Sequence, residues 1–144
     1  MHLTRFTDYG LRTLIYLAVA PSEKRVTISE ITETFDLSRD HVVKVVHRLG
    51  QLGYIDTVRG KGGGFTLAQD PQAINIGEVI QHLEPSLELI DCETPYCRLN
   101  PGCVLKGVFR DATKAFLGVL ADYTLGDLVK REQKTRELLG MVES

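Results

Sequence analysis

The sequence predicts a mainly α-helical protein with one small β-hairpin, arranged as a winged helix-turn-helix DNA-binding domain followed by a long dimerisation helix. Two short amphipathic segments flank a turn at residues 36–38, which is typical of a helix-turn-helix. Two strand-like segments flank a basic, glycine-rich loop at residues 59–64. A heptad-like apolar stripe then marks a long helix that needs a partner helix. With 144 residues, the chain can bury a core without external staples.

The N-terminal part of the chain is predicted to form three helices. Apolar periodicity places the first helix over residues 3–20, with Thr4 as its N-cap and Pro21 as its stop. Thr27-Ile-Ser-Glu30 is typical of a capping box and opens a second helix that ends near residue 35. After the turn, Ser38 is expected to cap a third helix that runs to about residue 52.

The third predicted helix separates an apolar face from a basic one. Apolar residues between Val42 and Leu52 recur at spacings of three and four, so they are expected to pack inward. Basic side chains on the outer face suit phosphates and the edges of bases in the major groove. A solvated face on a structural helix is the alternative. The expected DNA-contacting residues of this helix are Ser38, Arg39, His41, Lys44 and Arg48.

The strands expected at residues 53–58 and 64–68 would form the wing. Its tip combines positive charge with glycines that let the backbone approach a phosphate or enter a minor groove. Residues 39–61 hold five Lys and Arg against two Asp, although the net charge of the chain is −2. A simple tight hairpin is the alternative, and a nucleotide-binding loop is disfavoured because no Gly-Lys-Ser/Thr helix start follows. The expected DNA contacts of the wing are Arg59, Lys61, Gly62 and Gly63.

The rest of the chain is predicted to hold a short helix, a cysteine-containing loop and the dimerisation helix. Asn75 is expected to cap a helix to about residue 83, and the long helix follows over residues 104–123. Thr124-Leu-Gly-Asp127 resembles another capped start, and a charged, frayed tail is expected after Lys130. The predicted divisions are 1–83 for DNA binding, 84–103 for cluster binding and 104–144 for dimerisation and the tail. The apolar stripe of the long helix consists of Leu105, Phe109, Ala112, Phe116, Val119 and Tyr123.

The chain has three cysteines, and all lie in one turn-rich stretch. Cys92, Cys97 and Cys103 are separated by four and five residues, so a flexible loop can gather their thiolates around one soft metal centre. An iron-sulfur cluster would need a fourth ligand, and structural zinc usually has narrower cysteine spacing. Inert packing of free cysteines is a further alternative. The candidate fourth ligands are Asp8, His82, Asp91 and Glu93.

Composition and spacing also exclude several classes of protein. No basic N-terminal region precedes an apolar run and no apolar segment approaches a membrane span, so a cytoplasmic protein without a membrane partner is expected. Reduced cysteines in that compartment favour metal binding or redox sensing. The four histidines are scattered, and no nucleophile, acid or base is positioned for catalysis. The chain is therefore not expected to be an enzyme.

Four motifs in this order resemble the nitric oxide-sensitive repressors of a bacterial family of iron-sulfur winged-helix regulators. They are the opening Leu3 to Arg12, the segment from Ser38 to Lys44, the wing from Val58 to Gly64 and the cysteine triplet. The resemblance covers nearly the whole chain. It implies a homodimer that binds double-stranded palindromic operator DNA and responds to nitric oxide, with the long helices crossing at the interface.

The resemblance also implies a four-iron four-sulfur cluster held by Cys92, Cys97 and Cys103, with Asp8 of the partner subunit as fourth ligand. Arg12, one turn after Asp8, would hold that carboxylate in place. A relative that controls iron-sulfur biogenesis has a histidine three residues after its third cysteine and holds a two-iron cluster. This chain has Lys106 there, so a two-iron cluster is disfavoured.

Two other interpretations remain open from the sequence. One is a regulator of iron-sulfur or cysteine metabolism on the same fold. The other is a metal or redox module that binds no DNA, which leaves the basic helix and wing unexplained.

Overall fold

A computed structural model describes residues 2–141, within which seven α-helices and one two-stranded antiparallel sheet are found. This confirms the predicted mainly α-helical class with a small hairpin. The helices are α1 (Arg5–Val19), α2 (Ile28–Phe35), α3 (Arg39–Gln51), α4 (Ile76–Leu83), α5 (Val104–Leu120), α6 (Leu125–Leu128) and α7 (Glu132–Leu138). The strands are β1 (Ile55–Val58) and β2 (Gly64–Leu67), and 3-10 turns lie at Pro71–Ala73 and Asn100–Gly102.

Helices α1 to α4, the hairpin and α6 share one hydrophobic core. Helix α1 begins where expected, because the Thr4 hydroxyl accepts a hydrogen bond from Thr7 N–H. Leu14 of α1, Ile31 of α2 and Val45 of α3 are fully buried, as is Leu125 of α6. The core therefore fixes the helix-turn-helix and also anchors α6.

The helix-turn-helix forms as expected, although two of its caps differ in detail. The Thr27 hydroxyl accepts from Glu30 N–H, but the Glu30 carboxylate accepts from Tyr16 and pairs with Lys24 at 3.0 Å, which leaves the predicted capping box half formed. Asp36 ends α2 in a left-handed conformation with φ 53°. Ser38 occupies the N-cap position of α3, but its side chain makes no capping hydrogen bond.

Val26 extends the wing beyond the two predicted strands. β1 and β2 pair in register, with Ile55 opposite Leu67 and Val58 opposite Gly64. Val26 exchanges two backbone hydrogen bonds with Phe65, of 3.0 and 2.8 Å. This isolated antiparallel bridge pairs one further residue with the free edge of β2. The wing is thereby tied to the segment that enters α2.

The C-terminal helices pack back onto the body of the protein. Helix α5 ends at Leu120, before the predicted end at Tyr123, and the turn after it is bonded to α4 through Ile76 N–H and Tyr123 O. Helix α6 begins with a full capping box of Thr124 and Asp127. The prediction of a frayed tail is wrong for residues 132–138, because Arg136 Nε donates to Val19 O at 2.7 Å and holds α7 against α1. Neither α5 nor any other helix within residues 2–141 is long and apolar enough to cross a membrane.

Candidate nucleic-acid interface and metal-binding loop

Helix α3 presents its basic face to solvent, in agreement with the periodicity. Val42, Val45, Val46 and Leu49 are buried, whereas Leu52 is half-buried. Their burial fixes the rotation of the helix and so decides which side chains face outward. Five predicted contact residues are exposed: Ser38, Arg39, His41, Lys44 and Arg48.

Two contacts at the start of α3 orient its outward side chains. Arg39 Nη1 donates a 3.2 Å hydrogen bond to the hydroxyl of Ser29 on α2. The ring of His41 lies 6.0 Å from the ring of Tyr9 on α1, measured between centroids. Helix α1 therefore contacts the N-terminal turn of α3. In recognition helices this turn reaches the base edges.

The wing tip needs its glycines for the hairpin itself. Gly63 N–H donates to Gly60 O at 2.9 Å, and a Cβ built on Gly63 would clash with the backbone oxygen of Val58. Gly62 has a φ of +75°, a backbone conformation that residues with a side chain rarely adopt. The turn alone thus explains why glycines occupy these positions, and Arg59 and Lys61 on either side of Gly60 are exposed.

Arg25 is a basic residue of this surface that the sequence analysis did not identify. Its Nη1 donates a 3.1 Å hydrogen bond to Gly62 O, so it supports the wing tip from the segment before α2. A groove of about 420 Å³ lies between the start of α2, α3 and the wing, and Ser29 and Arg39 are among its lining residues. The sequence shows that Arg25 is basic, but it does not show the contact, because Gly62 lies 37 positions away.

The cysteine loop carries three free thiols, each half-buried. Cys97 N–H donates to Cys92 O at 2.9 Å, and Cys103 is the residue immediately before α5. Thiolates on a turn-rich loop are the donors that iron-sulfur clusters use, so the donor types fit such a group. Within residues 2–141, however, no three His, Cys, Asp or Glu side chains converge to hold a metal ion in the single chain.

The three local candidates for a fourth ligand are each engaged elsewhere. The Asp91 carboxylate accepts from Glu93 N–H and Thr94 N–H, and Glu93 accepts from the Asn100 side chain at 2.8 Å. His82 Nδ1 lies 2.7 Å from the Tyr54 hydroxyl. Burial, with the charge of Glu78 as a second cause, raises the pKa of Tyr54.

Asp8 lies on the first turn of α1 and is held by Arg12. Two hydrogen bonds of 2.9 Å join Arg12 Nε and Nη2 to the two carboxylate oxygens. Both side chains are 42% exposed, so the pair is open to solvent. The Arg12 guanidinium also lies over the rings of Tyr9 and Phe35, at 5.9 and 5.8 Å from their centroids. The predicted contact between Asp8 and Arg12 is present, and the ligand role of Asp8 stays a prediction.

Helix α5 has a broad apolar face that nothing in the single chain covers. Val108 is 52% exposed and Val119 is 61% exposed, and within the described residues α5 has no buried side chain. The uncovered apolar residues on this helix and its C-terminal turn include Val104, Leu105, Val108, Val119 and Tyr123. An apolar face of this width indicates an interface.

Comparison with known proteins identifies close relatives along the whole chain. Residues 3–131 match the Rrf2 family, described as an iron-dependent transcriptional regulator. The chain is 47% identical over 142 residues to the HTH-type transcriptional regulator NsrR of Shouchella clausii (strain KSM-K16), covering 96% of this chain and 95% of that protein. It is 45% identical over 146 residues to the regulator of the same name from Bacillus subtilis (strain 168), covering 99% and 100%.

A solved structure shows the same fold. CymR (YrzC), the global cysteine regulator of B. subtilis, superposes with a TM-score of 0.71 at 25% identity, covering 91% of this chain and 98% of that one. The winged-helix fold class and the family resemblance expected from the sequence are thereby confirmed.

Proposed function

Because the chain belongs to the Rrf2 family of transcriptional regulators, we propose that it is a nitric oxide-sensitive repressor whose DNA binding depends on an iron-sulfur cluster. The observation that carries the proposal is the combination, in one chain, of an exposed basic α3 and wing with a loop of three free cysteines. Relatives that are 45 and 47% identical bear the name NsrR, which supports this choice over other regulators of the family.

Cys92, Cys97 and Cys103 would hold the cluster, most simply a four-iron four-sulfur one. The cluster would supply iron that reacts with nitric oxide. Lys106 lies where a histidine would be needed for a two-iron cluster, and its Nζ instead donates to the Asn100 side chain. A lysine ammonium has no lone pair for a metal, so this position disfavours the two-iron alternative.

Asp8 of the partner subunit would be the fourth ligand. The likeness of the opening segment, residues 3–12, to the family supports Asp8 over the three local candidates, which have hydrogen-bond partners as Asp8 does. Asp8 is exposed, and its pairing with Arg12 uses one hydrogen bond at each oxygen and leaves further acceptor capacity. Arg12 would set the direction in which the carboxylate points.

A homodimer would form through the uncovered face of α5. Burying Val108, Val119 and their neighbours against a second copy removes apolar surface from water, which is the main driving force of association. A two-fold axis would set two α3 helices on a palindromic duplex, about 34 to 36 Å apart or at a multiple of that distance. Arg39, His41, Lys44 and Arg48 would then reach the major groove, and Arg59 and Lys61 the adjacent backbone.

Arg12 gives a physical route from the ligand carboxylate to the DNA-contacting helix. It bonds Asp8 and lies over Tyr9 and Phe35, and the Tyr9 ring is next to that of His41 on α3. Binding of Asp8 to a metal, or its release, would move the carboxylate, and Arg12, which is bonded to both of its oxygens, would move with it against these rings. The start of α3 would then lose the orientation that operator binding needs.

The test is operator affinity with and without the cluster. Duplexes selected from random 30-base-pair DNA by the anaerobic, cluster-loaded protein serve as the probe, and fluorescence anisotropy gives Kd. We expect nitric oxide to weaken binding to the selected DNA by at least about tenfold, with little change for unselected DNA. Equal affinity before and after nitric oxide would contradict the sensor. If genomic matches to the selected sequence lie upstream of cysteine-metabolism genes, a regulator of the CymR kind would be favoured.

A further inference from the structure

The first turn of α1 is held by a carboxylate from another helix. Glu84 accepts hydrogen bonds from Thr4 N–H, at 3.1 and 3.2 Å to its two oxygens, and from the Thr4 hydroxyl at 3.1 Å. The hydroxyl of Thr7, which is fully buried, donates to the same carboxylate. No ion pair within residues 2–141 involves Glu84. Its partners are therefore the amide and hydroxyl donors at the start of α1.

Glu84 joins two segments that the proposed function uses. It is the residue that ends α4, its N–H bonds Ile80 O at 2.9 Å, and the cysteine loop begins directly after it. On the other side of the contact, Asp8 follows Thr7 and donates its N–H to Thr4 O at 3.0 Å. The direction of the Asp8 side chain thus depends on the first turn of α1. Glu84 bonds this turn to the start of the cysteine loop.

We propose that Glu84 is a positioning residue that couples the two cluster-binding sites of the dimer. The proposal rests on the proposed function, in which each site takes three cysteines from one protomer and Asp8 from the other. Within one protomer, Glu84 then connects the cysteine loop of the first site to the Asp8 that serves the second site. No direct contact between the two sites is needed for such coupling.

The expected sign of the coupling is positive. Binding at the first site orders the cysteine loop, and the Glu84 contacts carry that order to the first turn of α1. Asp8 is then already oriented when the second site fills, so less conformational entropy remains to be lost there. Filling of the two sites is therefore cooperative, and half-filled dimers are depleted.

Native mass spectrometry of anaerobically reconstituted dimers, loaded with iron and sulfide to half saturation, tests the coupling. Independent sites would leave about half of the dimers half-filled, whereas a coupling factor of about five reduces that share to about a third. We expect half-filled dimers to be depleted in the wild type and to return to about half of the population in Glu84→Gln. The glutamine has the same size as Glu84, but its NH2 group is a donor and cannot accept from the Thr hydroxyls. Glu78→Gln is the matched control, because it removes the same charge from an exposed side chain of α4 that makes no hydrogen bond within residues 2–141.

A second variant guards against misfolding of the first. Thr7→Val keeps the shape of a buried side chain but removes one donor to Glu84, and it is expected to raise the half-filled share as well. A merely structural clamp would lower the melting temperature without changing the distribution. Wild-type dimers with independent filling, or variants with the wild-type distribution, would overturn the coupling and leave the proposed function intact. A chain that takes up no cluster at all would instead overturn the proposed function.

Discussion

Asp8 and Arg12, one helical turn apart on α1, form a bidentate ion pair. Each of its two hydrogen bonds is 2.9 Å long. A partly exposed pair of this kind contributes little to stability, since measured values for exposed pairs are about 0.2 to 1 kcal/mol. Its value lies in orientation, because the fork of the guanidinium fixes the plane of the carboxylate. The same guanidinium lies over Phe35 at the end of α2, so Asp8 is linked to the helix-turn-helix.

Replacing Asp8 by alanine tests that link. Asp8→Ala is expected to retain a cluster bound by the three cysteines but to change operator affinity, or its response to nitric oxide, by about fivefold or more. Anisotropy titrations and stopped-flow absorbance measure the two effects. Glu23→Ala, which removes an exposed carboxylate from the segment after α1, is the control. Unchanged affinity together with an unchanged nitric oxide rate would remove Asp8 from the mechanism.

The wing makes a salt-dependence prediction. Lys61→Ala should weaken binding to all DNA sequences about equally and lower the slope of log K against log salt by about one unit, because one phosphate contact is lost. Arg48→Ala or His41→Ala should instead alter sequence preference. Lys134→Ala, on α7, serves as control. A Lys61→Ala protein with the wild-type slope would exclude Lys61 from the phosphate contacts.

The exposed face of α5 predicts the oligomeric state. Val108→Asp places a charge at the centre of an apolar face and should convert the dimer to a monomer in sedimentation experiments. Leu138→Asp makes the same kind of change on the exposed side of α7 and should leave the dimer intact. Dissociation by both variants, or by neither, would contradict an interface centred on α5.

Gly63 predicts a stability effect in the wing. Gly63→Ala brings a Cβ against Val58 O and Gly60 O, both backbone atoms, so the turn must distort at a cost of about 1 to 3 kcal/mol. Gly50→Ala, within α3, meets no atom within 4 Å and should instead stabilise by about 0.5 to 1 kcal/mol. Urea unfolding of the two variants measures the difference. Equal stabilities would show that the hairpin adapts without strain.

Asp127 predicts a dependence of stability on pH. A hydrogen bond from Thr124 N–H lowers the pKa of Asp127 below its ordinary value. A lowered pKa in the folded state contributes stability above the unfolded pKa, and this contribution is lost as pH falls through the folded one. Asp127→Asn should therefore be less stable than the wild type at pH 7, and the two should converge as the pH falls below the lowered pKa of Asp127. A stability difference that does not shrink on acidification would contradict this cause.

Local sequence signals predicted most of the helix-turn-helix, and long-range contacts explain the differences. Thr4 and Thr27 cap their helices because a cap needs only residues within one turn. Glu30 departs from its capping role because Tyr16 and Lys24 provide competing partners from α1 and the segment after it. Periodicity within one element cannot reveal such competition.

The contacts that the sequence did not predict join residues far apart in the chain. Glu84 bonds Thr4 across 80 positions, and Arg136 bonds Val19 across 117. The charged C-terminal segment lacks a strong apolar stripe, and it docks through a carbonyl that only the folded α1 presents and through Leu139 and Met141, which pack against the core. The candidate metal site was recognisable because cysteine is rare and clustered here, whereas no three metal-binding side chains converge within residues 2–141 of the single chain.

The most direct measurement is native mass spectrometry of the anaerobically purified protein before and during stepwise addition of nitric oxide. The proposed function predicts a dimer with four irons and four sulfides per chain, which converts to adducts of nitric oxide as the gas is added. One zinc per chain with no response to nitric oxide would contradict it and make the cysteine loop a structural site.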